Sequence, residues 1–467
     1  MRRPEYWIIG ALVLVLVVKY AWPLFTFDMP MGYDVGFYRY LFLRHAEGIP
    51  PFWITDLPPW ARGHPLGLFF FSTMLLRLGI PVDWLIGWVW NLFAVVLLCV
   101  LSWVSGKRYG RDVGLWTLVS CVLSVATFDG FAAMYWKTFA SLLWCVLAFR
   151  ALEKKSWLTI PFGILCVTTH HQTGLLFGLV LLSYCILSFN HLRPRDILLV
   201  AGGGGVILCI GLLAYLPIWN DAILQILPML LGQTEAASGS FPPASFYQLY
   251  EGVVLFAGVM GFVLNMQRER WTVWQLAVLW SFLFIVAHLL FYRRFFLQFE
   301  FFLLPFAGIG FSAAWSHFRK KELRIAMIAL LLLQFLLMWQ AIVRNGPVVD
   351  AATFSGVLQV EAHVPSDAFV LALENDTPVI LRGWYPLYRI GGPGLFDAPW
   401  GADAWQVFLL GSHEDRVRFL QQIQGPVFLF VSPFFHTYYG TYADAFLRDS
   451  CFAQVAETML YRVTCIP

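Results

Sequence analysis

The sequence predicts an all-α polytopic membrane protein of about eleven transmembrane helices, closed by a small extracytoplasmic α/β domain at its C-terminus. Three observations predict it. The 467 residues are 59% hydrophobic and 13% charged, whereas about a quarter of the residues of an ordinary soluble domain are charged. Apolar runs of roughly the 20 residues that cross a bilayer recur until shortly before Gly346. The charge then changes sign: from Gly346 onward there are 6 basic and 12 acidic residues, net −6, against +9 before it. Basic residues are scattered through short loops and form no single patch, so nucleic acid is not an expected partner.

Taken in order, residues 6–25 form the first span, with Lys19 near its outer end placed to snorkel to the interface. Met1-Arg2-Arg3-Pro4 leads straight into this run with no small-residue cleavage site after it, which reads as a retained span. The first outer loop, residues 28–83, is rich in Pro, Trp, Tyr and Gly, and its apolar stretch 66–78 is too short to cross and reads as an in-plane helix. Further spans are expected at 84–104, 113–128, 136–149, 158–168, 173–189, 197–218, 252–266, 273–291, 301–315 and 325–342. The glycines of Ala201-Gly-Gly-Gly-Gly205 are expected to let helices pack closely. This assignment puts 16 lysines and arginines in inner loops, among them Arg2 and Arg270, against 7 in outer segments. That bias places the N-terminus in the cytoplasm and the C-terminal domain outside. The expected location is an integral position in a prokaryotic inner membrane.

The domains expected are 1–344, a transmembrane module, and 345–467, the outer domain. In the latter, Phe369–Leu373, Val379–Leu381 and Val427–Val431 read as strands, Glu414–Ile423 as an amphipathic helix and Gly383–Trp400 as a loop. Six of the eight cysteines lie in apolar runs, where Cys behaves as a small hydrophobe. Cys451 and Cys465 are the pair in the outer domain, and a bond between them requires an oxidising compartment.

Ionisable groups at a membrane are functional candidates because leaving them near lipid is costly. Asp34, with Tyr38 and Arg39 after it, follows the first span. Its carboxylate reads either as a general base or metal ligand, or as the N-cap of a following helix. Asp56 and Asp129 pose the same choice. Arg62 and His64 precede the in-plane helix, where cations meet either a phosphate or lipid headgroups. Lys137 is a further cation of an outer segment. His170 and His171 sit at a hairpin between two spans. Adjacent histidines do not face the same way on a helix, which disfavours a two-His metal site. Arg293 and Arg294 break the positive-inside trend, which suggests an anionic substrate group; the alternative is pairing with Glu300. No cofactor motif is present; the carboxylates of Asp34 and Asp129 leave open a divalent metal.

Four stretches, in this order, resemble the GT-C superfamily of membrane glycosyltransferases, in particular the branch of protein O-mannosyltransferases and the lipid A aminoarabinose transferase. They are Asp34, Tyr38 and Arg39 after the first span; His64-Pro65 opening an in-plane helix, with Gly106-Lys-Arg-Tyr-Gly-Arg111 ending the next span; Gly163 to Thr168-Thr169-His170-His171-Gln172-Thr173-Gly174; and Arg294-Phe295-Phe296 followed by Leu304-Pro305. The resemblance covers roughly the first 310 residues. It implies a polyprenyl-phosphate-linked sugar donor, an extracytoplasmic acceptor and inverting transfer. In that scheme Asp34 is the base, and His64, His170 and Arg293 or Arg294 lie at the donor phosphate. Where many relatives have two adjacent acidic residues this chain has Asp34-Val35, which argues against a metal. The competing readings are a transporter or flippase for a lipid-linked glycan and a non-catalytic scaffold of the same fold. The absence of an internal repeat argues against the transporter.

Overall fold

The computed structural model describes residues 3–48, 57–189, 193–224, 227–230, 238–239, 241–269 and 271–466. Arg2, Asp56 and Arg270 lie outside them. The chain divides into two compact units. The first comprises Met1–Trp22, Leu57–Leu75 and Gly87–Asn345; the second comprises Pro23–Asp56, Leu76–Ile86 and Gly346–Pro467.

The first unit is helical, and a helix lies at each expected span, although 113–128 is broken after Leu123 and 273–291 is helical only to Val286. Six are long and apolar enough to cross a membrane: Tyr6–Thr26, Val82–Tyr109, His171–Ser188, Leu198–Ile218, Tyr292–His317 and Lys321–Arg344. Two bent pairs raise the number to 8, if each is one span: Arg111–Leu123 with Ala126–Ala132, bent by 52°, and Ala244–Tyr250 with Gly252–Arg268, bent by 97°. Gly67–Arg77, Thr159–Thr169 and Val273–Val286 are shorter apolar helices, so length alone does not make all of the expected spans membrane-crossing. The chain is an integral, polytopic membrane protein. Close packing uses small residues: a Cβ on Gly261 would overlap the backbone of Phe306, and one on Gly310 that of Ala257. Within the run Gly202–Gly205, Gly203 serves the same purpose, since a Cβ there would come within 3.1 Å of Ile160 in the helix Thr159–Thr169. Gly204 and Gly205 face open space and line a cavity.

The second unit is built on a six-stranded sheet in the order β3-β2-β1-β4-β6-β5. The strands are β1 Phe369–Ala372, β2 Arg389–Gly392, β3 Leu395–Phe396, β4 Val427–Phe430, β5 Phe452–Gln454 and β6 Leu460–Val463. β1 pairs in parallel with β2 and with β4, and the other pairings are antiparallel. Val379–Leu381, expected as a strand, lies in the helix Thr377–Trp384. The physical reason is the parallel β1–β2 pair, which needs a crossover connection, and Pro378 suits the first turn of that helix. The Gly383–Trp400 stretch, expected as a loop, contributes β2 and β3, turned by Gly394 at φ +72°. The expected helix is present as His413–Leu420, opened by a Ser412–Asp415 capping box. Cys451 and Cys465 are bonded.

The helix Val35–Glu47, from the first outer loop, packs on Thr377–Trp384. Gly36 sits where any Cβ would overlap the Val379 carbonyl, and Gly383 faces Gly36 in turn. The backbones therefore touch, and only glycine permits it. Gly36→Val is expected to cost about 1–3 kcal/mol through overpacking, read as a lower unfolding midpoint of the full chain and faster amide exchange over residues 35–47. Reducing Cys451–Cys465, 14 residues apart, is expected to cost about 3 kcal/mol, read by urea unfolding with and without reductant.

Candidate active site

In the second unit Asp34 immediately precedes the helix Val35–Glu47. It is half-buried, and its side chain makes no capping hydrogen bond. The N-cap reading therefore does not account for the carboxylate. Tyr33 beside it donates its hydroxyl to the Asn375 carbonyl at 2.9 Å. Burial, then the charges of Asp376, Asp34 and Glu374, push the Tyr33 hydroxyl up to about 12. Asp34 thus belongs to an acidic neighbourhood that the sequence did not reveal. Tyr38 is buried against Phe42, ring centroids 5.9 Å apart. Arg39 is committed: Nε to Asp83 at 2.9 Å, Nη1 to the Gly383 carbonyl at 2.7 Å, and its guanidinium 5.0 Å from the Trp384 ring.

Glu374 and Asp376 line a cavity of about 520 Å³ with Asp28, Asp350, Ser432 and Phe434. It opens beyond the carboxyl ends of β1 and β4, where the connections leave β1 in opposite directions, the usual place for a ligand in such sheets. Burial raises the Glu374 carboxyl above its ordinary value although Thr377 and Asp376 donate backbone N–H groups to it. Sequence reasoning missed these residues, whose only signal was acidic residues just past a strand.

The first unit brings Lys137 and Arg294 together with three histidines. The helices Thr159–Thr169 and His171–Ser188 hinge at His170, which is extended at φ −150°. A Cβ on Gly67 would overlap Thr169, so the helix Gly67–Arg77 meets this hinge, with His64 just ahead of it. His64 Nδ1 lies 2.9 Å from Lys137 Nζ. His170 Nδ1 lies 2.9 Å from Thr173 Oγ1 and 3.4 Å from Thr138 Oγ1, and Gln298 Nε2 donates to Thr173 Oγ1 at 3.3 Å. The rings of His170 and His171 are 5.1 Å apart, and the charges of Lys137 and Arg294 act on both. Arg294 lies over Tyr135 at 5.2 Å and Phe291 at 4.7 Å, while its Nε is buried with no hydrogen-bond partner. Arg293 is fixed through its backbone, N–H to the Ser238 carbonyl at 3.1 Å. Arg62 is exposed and donates Nε to the Leu57 carbonyl at 2.6 Å.

His171, its Nδ1 unpartnered, lines an apolar cavity of about 620 Å³ together with Gly174, Gly178, Gly204, Gly211 and Tyr215. The cavity runs between the helices His171–Ser188 and Gly203–Tyr215.

Glu300 keeps different company from that expected. It is fully buried, and among the described residues neither Arg293 nor Arg294 forms an ion pair with it. It lies beside Glu251, and Lys19 attracts both. Lys19 does not snorkel. It is fully buried and donates to the carbonyls of Cys121 at 3.4 Å, Val122 at 3.1 Å and Ser124, the free carbonyls at the end of the helix Arg111–Leu123. Asp129 is buried, with Tyr247 donating to one oxygen at 2.9 Å and Asn345 to the other at 3.1 Å.

These partners leave Asp129 poorly placed to ligate a metal. Among the described residues one group brings three ligand types together, His413, Asp449 and Cys451 within 4.8 Å. Its sulfur is spent in the bond to Cys465, and Asp449 already holds Arg416 and His413, each at 2.6 Å. This donor set does not fit a metal, because it offers no thiolate.

No family model and no curated protein matches the chain. Solved structures do. ArnT from Cupriavidus metallidurans in the apo state matches 99% of this chain and 97% of its own length, with 13% identity and a TM-score of 0.62. The same protein bound to undecaprenyl phosphate matches over 99% and 98%, with 13% identity and a TM-score of 0.59. The oligosaccharyltransferase of Archaeoglobus fulgidus, in complex with Zn and sulfate, matches 98% of this chain and 73% of its own, with 11% identity and a TM-score of 0.66. Both proteins are GT-C membrane glycosyltransferases, and a likeness that runs the length of this chain gives it the GT-C fold.

Proposed function

We propose that this protein is a glycosyltransferase that moves a sugar from a polyprenyl-phosphate-linked donor to an extracytoplasmic acceptor. The observation that carries the reading is the polar cluster of the first unit, whose cations are Lys137 and Arg294. They gather with His64, His170 and His171 where His171 borders an apolar cavity. A charged head and a long apolar tail are the two chemistries of a polyprenyl phosphate. The ArnT structure bound to undecaprenyl phosphate and the oligosaccharyltransferase structure with sulfate support the same class of ligand.

In the proposed reaction the acceptor attacks the anomeric carbon from the face opposite the phosphate. The new bond forms as the sugar–phosphate C–O bond breaks, and its electron pair passes to the phosphate oxygen, where the cations stabilise it. Asp34 takes the acceptor's proton. One displacement inverts the anomeric centre, with no covalent sugar–enzyme intermediate. The acidic cavity at the ends of β1 and β4 supports a role for the second unit in holding the acceptor. The Cys451–Cys465 bond supports an oxidising, extracytoplasmic side for that unit.

Transfer from a panel of radiolabelled polyprenyl-phosphate sugars to membrane extract tests the reading. Asp34→Asn is expected to lose about 10²–10⁴-fold in rate while still binding undecaprenyl phosphate; equal transfer by both proteins removes Asp34 from the chemistry. Arg294→Ala is expected to weaken undecaprenyl phosphate binding by roughly 10- to 100-fold, the worth of one hydrogen bond to a charged group, measured by fluorescence titration in detergent. Unchanged binding would remove Arg294 from the phosphate site.

A further inference from the structure

The hinge at His170 carries a chain of hydrogen bonds whose direction is set by one backbone group. His170 is the N-cap of the helix His171–Ser188, and its Nδ1 accepts the backbone N–H of Thr173 at 3.4 Å. A backbone N–H only donates. Nδ1 is therefore the bare nitrogen of the ring, and the proton of the neutral imidazole sits on Nε2. The Thr173 hydroxyl, 2.9 Å from Nδ1, then donates to it as well. Thr173 Oγ1 is left to accept from Gln298 Nε2 at 3.3 Å. Gln298 Oε1 ends the chain, buried and without a partner.

The surroundings keep this direction. Thr173 is fully buried and Gln298 is 1% exposed, so bulk water does not compete for their hydrogen bonds. The hydrogen bonds of the His170 ring all run through Nδ1, where Thr138 Oγ1 also lies at 3.4 Å; among the described residues Nε2 has no protein partner. The titratable and charged groups that act on the ring are His171, Lys137 and Arg294, and no carboxylate among them draws a second proton onto it. Gln298 follows Arg294 by one turn at the start of the helix Phe295–His317. One helix thus carries both a fixed cation and the amide that orients the histidine.

We infer that Thr173 and Gln298 are positioning residues that hold His170 as a neutral imidazole with its proton on Nε2, a hydrogen-bond donor to the phosphate of the sugar donor. Lys137 and Arg294 then supply the positive charge of this cluster, and His170 supplies direction without charge. The inference rests on the proposed function for the identity of the anion, and on the hydrogen bonds alone for the tautomer.

NMR correlation of ring nitrogens with ring protons, on the full chain labelled with nitrogen-15 histidine in detergent, tests it between about pH 6 and 8. The His170 signal is the one that His170→Asn removes. The expected wild-type signal is that of the Nε2–H tautomer throughout. Thr173→Val is expected to give a mixture of tautomers and to weaken undecaprenyl phosphate binding about 2- to 10-fold, the worth of one neutral hydrogen bond. Thr173→Ser is expected to restore both. An Nδ1–H or doubly protonated wild-type signal would overturn the inference, and so would a wild-type signal kept by both Thr173→Val and Gln298→Met. A tautomer shift in Thr173→Val with unchanged binding would remove His170 from the phosphate. If Thr173→Val fails to fold, Gln298→Met reads the chain from its other end, and the wild-type spectrum needs no variant. A wild-type chain that binds no undecaprenyl phosphate is a failure of the proposed function, and the spectrum still decides the tautomer.

Discussion

A buried ammonium persists only where its protons find acceptors, and Lys19 meets that demand at the free carbonyls that end the helix Arg111–Leu123. Much of the first unit follows from this contact. The helix stops there, the chain bends by 52° into Ala126–Ala132, and the N–H that opens the second helix goes to Glu251. One side chain thus closes the first helix and another opens the next. Beyond the bend come Tyr135, Lys137 and Thr138, three residues of the polar cluster or its support.

That cluster is braced by aromatic rings. Asp129 holds the Tyr247 hydroxyl. The Tyr247 ring is stacked between Phe296 at 4.3 Å and Phe241 at 5.5 Å. Phe241 stacks on Tyr135 at 5.8 Å, and Tyr135 lies under Arg294. Each such ring pair adds about 0.5–1.5 kcal/mol beyond the area it buries. Asp129, one of the metal candidates from the sequence, thus reaches the candidate site through packing. Its two covered oxygens explain why a carboxylate near the bilayer need not be reactive.

The sequence showed the polytopic body because composition and run length are local properties. A helix lies at each expected span for that reason, while breaks such as the one after Leu123 depend on partners elsewhere. The cations of the outer segments were also legible, since Arg293 and Arg294 break a charge bias that needs no structure to see. Partnerships were not legible. Lys19 looked like a snorkelling lysine because nothing in residues 6–25 shows which helix ends beside it. Glu251 looked ordinary at the head of an apolar run, and its meaning depends on the Ala126 N–H across the fold. Val379–Leu381 has a strand's composition, but the parallel pairing of β1 with β2 requires a helix between them, a constraint set by residues on both sides.

The second unit is discontinuous in the chain, and that has a consequence for how the protein is made. Val35–Glu47 emerges from the ribosome early, yet the surface on which Gly36 rests belongs to Thr377–Trp384. More than half the chain is synthesised between the two. Until then the early helix has no seat, and β4 waits longer still for β6. Contacts of such sequence separation form late and slowly. The unit that contains Asp34 is therefore completed only after the helices of the first unit have been made, so a nascent chain inserts most of its helices before it can assemble the surroundings of that carboxylate.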